Sequence, residues 1–111
     1  MKQLDIYWVD LNPTKGAEAR KKRPCVIVQS SLVNKNSRTV IIAPLLPDHK
    51  NWPFVVNIKP SKTNNLDKDR NLNLKQMRAV DVSRISNKYG VIEAKYKNKI
   101  DNVLKLVLNI E

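Results

Sequence analysis

The apolar residues of this chain are gathered in short runs rich in β-branched side chains, and this pattern most constrains the fold. Each run is bounded by polar residues or proline and is too short for a typical helix, so each predicts a β-strand. The runs cover 6–11, 25–29, 39–46 and 54–58, and a fifth, with a bend expected near Lys75, covers 72–74 and 76–80. Short strands at this spacing, joined by turns, predict a small barrel.

The C-terminal segment has a different period. Its apolar residues recur at steps of three and four from Tyr96 to Leu108, which predicts an amphipathic helix over 94–109 packed across the barrel. Residues Ser30 to Asn34 predict a single helical turn. Since 111 residues suffice for only one hydrophobic core, we expect a single domain over 1–111, mainly β with a C-terminal helix.

Within this fold, residues 25–29 form a continuous apolar run, which is typical of a strand in the middle of a sheet. Cys25 in that run is expected to serve packing. Trp8 lies in the first predicted strand and is expected in the core. Trp52 lies in a predicted loop, where two roles remain open: stacking on a nucleic-acid base or packing against the protein.

The net charge is strongly positive, with 21 Lys and Arg against 10 Asp and Glu, or +11 at pH 7. A charge of this size repels itself and favours an anionic partner. Nucleic acid is the first expectation, an acidic protein the second and a membrane surface the third. The predicted loop before the second strand carries five basic residues and one acidic residue, Glu18; the basic ones are Lys15, Arg20, Lys21, Lys22 and Arg23. We expect phosphate contacts there, with a merely solvated loop as the alternative.

Several chemistries are disfavoured by composition. One cysteine, Cys25, and one histidine, His49, cannot form an internal disulfide or a zinc site. Only Gly16 and Gly90 are glycines, which disfavours a Gly-rich phosphate loop. We therefore expect no metal and no cofactor. No apolar stretch approaches the length of a membrane span, so we expect a cytoplasmic protein without a membrane partner.

Five segments, taken in order, resemble the MazF/PemK family of toxin endoribonucleases. They read Asp-Ile-Tyr-Trp-Val-Asp-Leu-Asn-Pro-Thr-Lys-Gly-Ala-Glu from Asp5, Lys-Arg-Pro-Cys-Val-Ile-Val-Gln from Lys22, Val-Ile-Ile-Ala-Pro-Leu from Val40, Pro-Phe-Val-Val from Pro53 and Gln-Met-Arg-Ala-Val-Asp from Gln76. The resemblance implies a partly open antiparallel barrel of the CcdB/MazF (SH3-like) type and a homodimer. It also implies metal-independent, sequence-specific cleavage of single-stranded RNA, and an acidic antitoxin protein whose tail covers the RNA groove.

The resemblance also implies roles for individual residues. Arg23, in the Arg-Pro pair that opens the second strand, is expected to be catalytic, because a guanidinium stays charged and clamps phosphate oxygens. Glu18 is the best remaining carboxylate near it, with a structural salt bridge as the alternative. We expect the following residues to bind RNA: Lys15, Arg20, Lys21, Lys22, Lys75, Gln76 and Arg78.

Two positions depart from the family pattern. Leu46 stands where a threonine or serine is usual, and Lys75 where many relatives carry Asp or Glu. A shifted loop would let Asp48 or His49 substitute. The departures leave open a catalytically impaired protein that binds RNA or antitoxin. A gyrase poison, the activity of the other branch of this fold, ranks last, because that branch relies on a C-terminal tryptophan and this chain ends Leu-Asn-Ile-Glu.

Overall fold

A computed structural model describes residues 1–33 and 37–111 and contains one antiparallel sheet and one α-helix. The strands are β1 Asp5–Asp10, β2 Lys22–Ile27, β3 Thr39–Pro47, β4 Val55–Ile58, β5 Arg70–Asn73, β6 Arg78–Asp81 and β7 Ile85–Val91, followed by helix α1 Lys97–Leu108. Short 3₁₀ helices cover Ser31–Val33, Leu74–Gln76, Val82–Arg84 and Ala94–Tyr96.

Strand β3 organises the sheet. The strand order is β4-β5-β3-β2-β1-β7, and β6 also pairs with β3. On one side β3 pairs with β2, while on the other its first half pairs with β6 and its second half with β5. Within the described residues β4 and β7 do not pair with each other, so the sheet stays open. The predicted mainly β fold, a partly open antiparallel barrel with a C-terminal helix, is confirmed.

The predicted central position of the second strand is confirmed, since β2 pairs with β1 and β3. It starts at Lys22, three residues earlier than predicted, so Arg23 lies in the strand and not in the preceding loop. The fifth run divides into β5 and β6, because the side chain of buried Asn73 accepts hydrogen bonds from the backbone of Lys75 and Gln76. These bonds turn the chain into the 3₁₀ helix Leu74–Gln76.

Strand β7 has no counterpart in the sequence prediction. It lies at the sheet edge, pairs with β1 alone among the described strands, and carries Ser, Asn and Lys at its exposed centre, so it lacks an apolar run. The expectation that Trp8 is in the core is wrong, because its side chain is 37% exposed. The β1–β7 register shifts between Tyr7 and Val9, and Trp8 packs instead edge-on against Tyr89, with ring centroids 5.3 Å apart.

Two clusters of buried side chains form the core on the two faces of the sheet, since alternate residues of a strand point to opposite faces. The first includes Ile6, Val26 and Leu45 and packs under Ile100 and Val103 of α1. The second is built from Val9, Leu11, Cys25, Ile27, Val40, Ile42 and Val80.

The predicted C-terminal helix is confirmed, with its first turn as the 3₁₀ helix Ala94–Tyr96 and its end at Asn109, which has a left-handed conformation. The predicted turn over 30–34 is present as the 3₁₀ helix Ser31–Val33, and Asn34 lies outside the described residues. In the described part of the chain no helix is long and apolar enough to cross a bilayer.

Candidate functional site

A groove of about 540 Å³ lies where the loop between β1 and β2 meets the segment from Asn73 to Arg78. Glu18 lines it from the loop, and Lys75, Gln76 and Arg78 line it from the segment. Trp52 and Phe54, which precede β4, complete the aromatic part of its lining. The sheet thus brings together four of the nine residues predicted for the site, although they are far apart in the sequence.

The loop from Asn12 to Lys21 is tied to the sheet at its base. The amide of Leu11 donates to the carbonyl of Lys21 over 3.0 Å, and the amide of Lys21 donates to Oδ1 of Asn12 over 3.2 Å. Two arginines also hold the base of the loop. Arg78 Nη1 donates to the carbonyl of Leu11 and Arg84 Nη1 donates to the carbonyl of Asp10, each over 3.2 Å. The loop is therefore a closed, anchored element of the groove.

The side chain of Gln76 reaches the middle of this loop. Its Oε1 accepts a hydrogen bond from the amide of Ala19, and its Nε2 donates to the carbonyl of Ala17 over 3.5 Å. Both polar atoms of a residue predicted to bind RNA are thus engaged by backbone of the loop.

Glu18 lies between these two anchored residues. Its amide donates to the carbonyl of Lys15 over 3.1 Å, and its Oε1 accepts from the amide of Lys15 over 2.6 Å. Gly16 supplies the positive φ of 55° that this tight turn uses. Among the described residues no salt bridge involves Glu18. The carboxylate is therefore held by its own turn and not by a structural ion pair.

Arg23 and Arg78 lie near the same buried side chain, Cys25. Burial raises the pKa of the Cys25 thiol to about 12, while the positive charges of Arg23 and Arg78 act in the opposite direction. Arg23 is half-buried and its Nε donates to the carbonyl of Arg20 over 3.0 Å. Arg78 lines the groove, whereas Arg23 is not part of the lining.

The other basic residues in and next to the loop are all exposed and none belongs to the groove lining; they are Lys15, Arg20 and Lys21 in the loop and Lys22 at the start of β2. In residues 1–33 and 37–111 no salt bridge neutralises them. They form a positively charged rim next to the groove.

An aromatic stack with a lysine at each end stands at the groove. Trp52 is 46% exposed and stacks on Phe54, with centroids 5.3 Å apart and ring planes 16° from parallel. Lys50 Nζ lies 5.4 Å from the Trp52 ring and Lys75 Nζ lies 5.1 Å from the Phe54 ring. Sequence reasoning considered Trp52 but missed Phe54 and Lys50. The sequence did contain a signal for this group, since Lys50, Trp52 and Phe54 stand at every second position.

The end of β3 carries Leu46, at the position where the family usually has threonine or serine. Leu46 is half-buried and pairs with Asn71, whose Nδ2 donates to the carbonyls of Leu46, Pro47 and Asp48 over 3.3, 3.1 and 2.9 Å. Asp48 and His49 are exposed and do not line the groove. The turn that carries them is fixed by Asn71, so the structure does not bring either side chain to the site.

The acidic and metal-ligating side chains are scattered. Over the described ranges no three His, Cys, Asp or Glu side chains come together as a potential metal site. Glu18 is the carboxylate that lines the groove.

Comparison with known proteins places this geometry in a family. A family model described as the PemK-like, MazF-like toxin of type II toxin–antitoxin systems matches residues 2–108. The endoribonuclease MazF of Staphylococcus saprophyticus is 34% identical over 112 residues, which cover 99% of this chain and 92% of that protein. The endoribonuclease MazF of Staphylococcus epidermidis is 34% identical over 108 residues, covering 96% and 89%.

Solved structures show the same fold at lower identity. A MazF toxin of Mycobacterium tuberculosis superposes with a TM-score of 0.82 at 15% identity, covering 96% of this chain and 98% of that one. A mycobacterial endoribonuclease in complex with its cognate antitoxin gives 0.81 at 19% identity, with coverage of 100% and 97%. MazF of Deinococcus radiodurans gives 0.80 at 19% identity, with coverage of 98% and 96%. Family match, relatives and fold agree, and the chain belongs to the PemK/MazF family of type II toxin–antitoxin toxins.

Proposed function

We propose that this chain is the toxin of a type II toxin–antitoxin system and a metal-independent, sequence-specific endoribonuclease that cleaves single-stranded RNA. The observation that carries the proposal is the groove itself. It holds a carboxylate, Glu18, beside two cations, Lys75 and Arg78, and next to the Trp52–Phe54 stack. The family membership supports the same activity, since the two staphylococcal relatives are endoribonucleases.

Binding of a single strand follows from the charges and rings of the groove. Lys75 and Arg78 contact phosphates inside it, and the rim of Lys15, Arg20, Lys21 and Lys22 extends the contact along the backbone of the RNA. Trp52 offers its exposed ring to a base, because stacking needs only a π-face and tolerates any base. The Nζ atoms of Lys50 and Lys75 lie close enough to the stack to hold the phosphates on either side of that base.

Cleavage without a metal proceeds by attack of the ribose 2′-OH on the adjacent phosphorus. The attack needs a proton acceptor for that hydroxyl, a proton donor for the leaving 5′-oxygen and a cation for the charge that develops on phosphorus. Glu18 accepts the proton of the 2′-OH, and water in the open groove gives a proton to the leaving 5′-oxygen. Arg23 supplies the cation, and the hydrogen bond from its Nε to Arg20 orients the remaining N–H groups of the guanidinium.

The partners of the toxin follow from the same surface. An acidic antitoxin binds the groove and its basic rim and so competes with RNA. A mycobacterial neighbour solved with its cognate antitoxin supports this partner. A homodimer is supported by exposed apolar side chains outside the groove, at Leu32, Val33, Ile41 and Val82, which a second copy would cover. Sedimentation at micromolar concentration measures this association, and a monomer at all concentrations would contradict the dimer.

Cleavage of RNA in the presence of EDTA tests the enzymatic proposal. We expect a wild-type product that ends in a 2′,3′-cyclic phosphate or its 3′-phosphate. Arg23→Ala should reduce the rate by roughly 10²–10³-fold, the usual effect of removing one stabilising donor from a transition state. Arg38→Ala removes an exposed arginine away from the groove and should leave the rate unchanged. Intact RNA across varied substrates with folded wild-type protein would refute the nuclease.

Two observations favour a second function, an impaired relative that only binds RNA or antitoxin. Leu46 has no group that transfers a proton, and the Nζ of Lys75 lies against the Phe54 ring where a carboxylate is usual in the family. Restoring both groups discriminates the two functions.

A further inference from the structure

Gln76 contacts a distant part of the chain with both ends of its amide. Its Oε1 accepts from the amide of Ala19 and its Nε2 donates to the carbonyl of Ala17, across 57 and 59 positions of sequence. A side-chain amide that satisfies one donor and one acceptor on alternate residues holds that backbone segment in a fixed orientation. The residue between the two contacts is Glu18.

The base from which Gln76 extends is itself rigid. Asn73 is 3% exposed, and its Oδ1 accepts from the amides of Lys75 and Gln76 over 3.1 and 3.2 Å. The amide of Leu74 donates to the carbonyl of Phe54 over 3.1 Å, and the buried Leu74 side chain joins the core cluster under α1. The backbone of Gln76 is therefore fixed on the sheet side of the groove.

The loop side of the Gln76 contact is held by fewer interactions than the sheet side. The turn from Lys15 to Glu18 is closed by two hydrogen bonds within itself, and its four residues are all exposed. Leu11, several residues away from Glu18, holds the base of the loop: its carbonyl accepts from Arg78 and its amide donates to the carbonyl of Lys21. Gln76 thus supplies the polar link between the Glu18 turn and the sheet, next to Ala19, whose side chain packs against the second core cluster.

We infer that Gln76 is a positioning residue: its amide bridges Ala17 and Ala19 and thereby holds the Glu18 carboxylate on the wall of the groove. This inference rests on the proposed function, in which Glu18 accepts the proton of the 2′-OH. A displacement of a catalytic group by about 1 Å can reduce a rate by 10²-fold, so the bridge affects catalysis although it contacts no reacting atom.

A double-mutant cycle with single-turnover kinetics tests the inference. We expect Gln76→Ala to lower kcat by roughly 10- to 100-fold with a change in KM below about twofold. In the Glu18→Gln background, Gln76→Ala should lower kcat no further, because the group that it positions is already inactive. Gln76→Glu keeps the acceptor for Ala19 but loses the donor to Ala17, so it should fall between wild type and Gln76→Ala.

Gln3→Ala is the matched control. It removes another glutamine whose Nε2 donates to a backbone carbonyl, that of Val28, away from the groove, and should leave kcat unchanged. Independent effects of Gln76→Ala and Glu18→Gln would overturn the inference, as would a rise in KM at constant kcat, which indicates a direct RNA contact.

Amide hydrogen exchange separates this inference from the proposed activity. In Gln76→Ala the Ala19 amide loses its acceptor, and we expect its exchange to accelerate at least tenfold, while that of Gln3→Ala stays as in wild type. Unchanged exchange at Ala19 overturns the bridge whether or not the protein cleaves RNA. Accelerated exchange in a protein without nuclease activity refutes the proposed function and leaves the bridge.

Discussion

The two faces of the sheet are closed by different interactions. On one face α1 packs its Ile100 and Val103 against an apolar cluster. On the other face, which has its own apolar cluster, the loop from Asn12 to Lys21 is held chiefly by polar contacts. Gln76 donates to and accepts from its backbone, Arg84 donates to the carbonyl of Asn12, and Arg78 donates to the carbonyl of Leu11 at its base. Apolar packing fills space, whereas hydrogen bonds to an exposed loop leave a groove open beside it.

This difference separates stability from chemistry. Burying apolar side chains contributes free energy without direction, so the helix face can be dense and need hold no particular side chain for a substrate. The groove face holds cations and a carboxylate that must stay accessible to bind RNA. Such a site needs directional contacts that fix side chains without covering them.

The largest expected effect is on the helix face. Ile100→Ala removes a side chain that is 2% exposed and should lower the free energy of unfolding by about 2–5 kcal/mol. Denaturant titration measures this loss. The cleavage rate per folded molecule should not change, because Ile100 is not part of the groove lining.

Leu106→Ala, on the same helix at 60% exposure, is the control and should change stability by less than about 0.5 kcal/mol. A fall in the cleavage rate of fully folded Ile100→Ala protein would break the division between the two faces.

The second effect is on the cleavage rate and concerns the groove face alone. The double substitution Leu46→Thr and Lys75→Glu restores the hydroxyl and the carboxylate that the family pattern has, and should raise the cleavage rate by roughly 10²-fold, the contribution of one general acid or base. Single-turnover cleavage measures it. Lys105→Glu makes the same change of charge on the exposed part of α1 and should not raise the rate.

The outcomes of this restoration distinguish the two functions. A slow wild type that becomes faster is an enzyme of limited rate, and cleavage that occurs only after substitution identifies the wild type as a binder. An equal rate before and after would show that Leu46 and Lys75 do not limit catalysis.

The smallest effect concerns the free energy of unfolding and comes from the thiol of Cys25, which is buried in the second core cluster. Burial raises the pKa of the Cys25 thiol from 9.0 to about 12, so the unfolded chain releases this proton at a lower pH than the folded chain does. The contribution to stability is complete below pH 9 and is lost as the pH rises from 9 to 12. The Cys25→Ala variant has no thiol, so its stability does not fall for this reason.

The measurement is the difference in unfolding free energy between wild type and Cys25→Ala as a function of pH. It should be constant below pH 9 and shift by about 1 kcal/mol against the wild type near pH 10. Lysine and tyrosine titrations are common to both proteins and cancel. A constant difference up to pH 11 would show that folding does not raise the pKa of the thiol.

Most of the sheet could be predicted because its strands are apolar on at least one face. Strands β1 to β4 and α1 follow from their periods, and the bend at Lys75 was predicted although the 3₁₀ helix that causes it was not. Strand β7 could not be found, since an exposed edge strand with Ser, Asn and Lys at its centre has no periodic signal. Trp8 was misplaced because a register shift between paired strands is a tertiary property.

The candidate site divides in the same way. Residue types and family pattern were enough to select Glu18, Arg23, Lys75 and Arg78 as candidates. That Gln76 reaches the loop backbone, and that Phe54 and Lys50 extend Trp52 into a stack, depends on segments that meet only when the sheet forms.

The sequence by itself determined the strand-rich fold, the terminal helix, the excess of positive charge and the family, because local periodicity, composition and motifs are properties of the chain in one dimension. Only the tertiary structure decided which of the basic residues line the groove, which rim it, and that Asp48 and His49 stay away from it. The physical reason is that hydrogen bonds between distant segments, such as that of Gln76 with Ala19 and those of Asn71 with the turn after β3, leave no local pattern in the sequence.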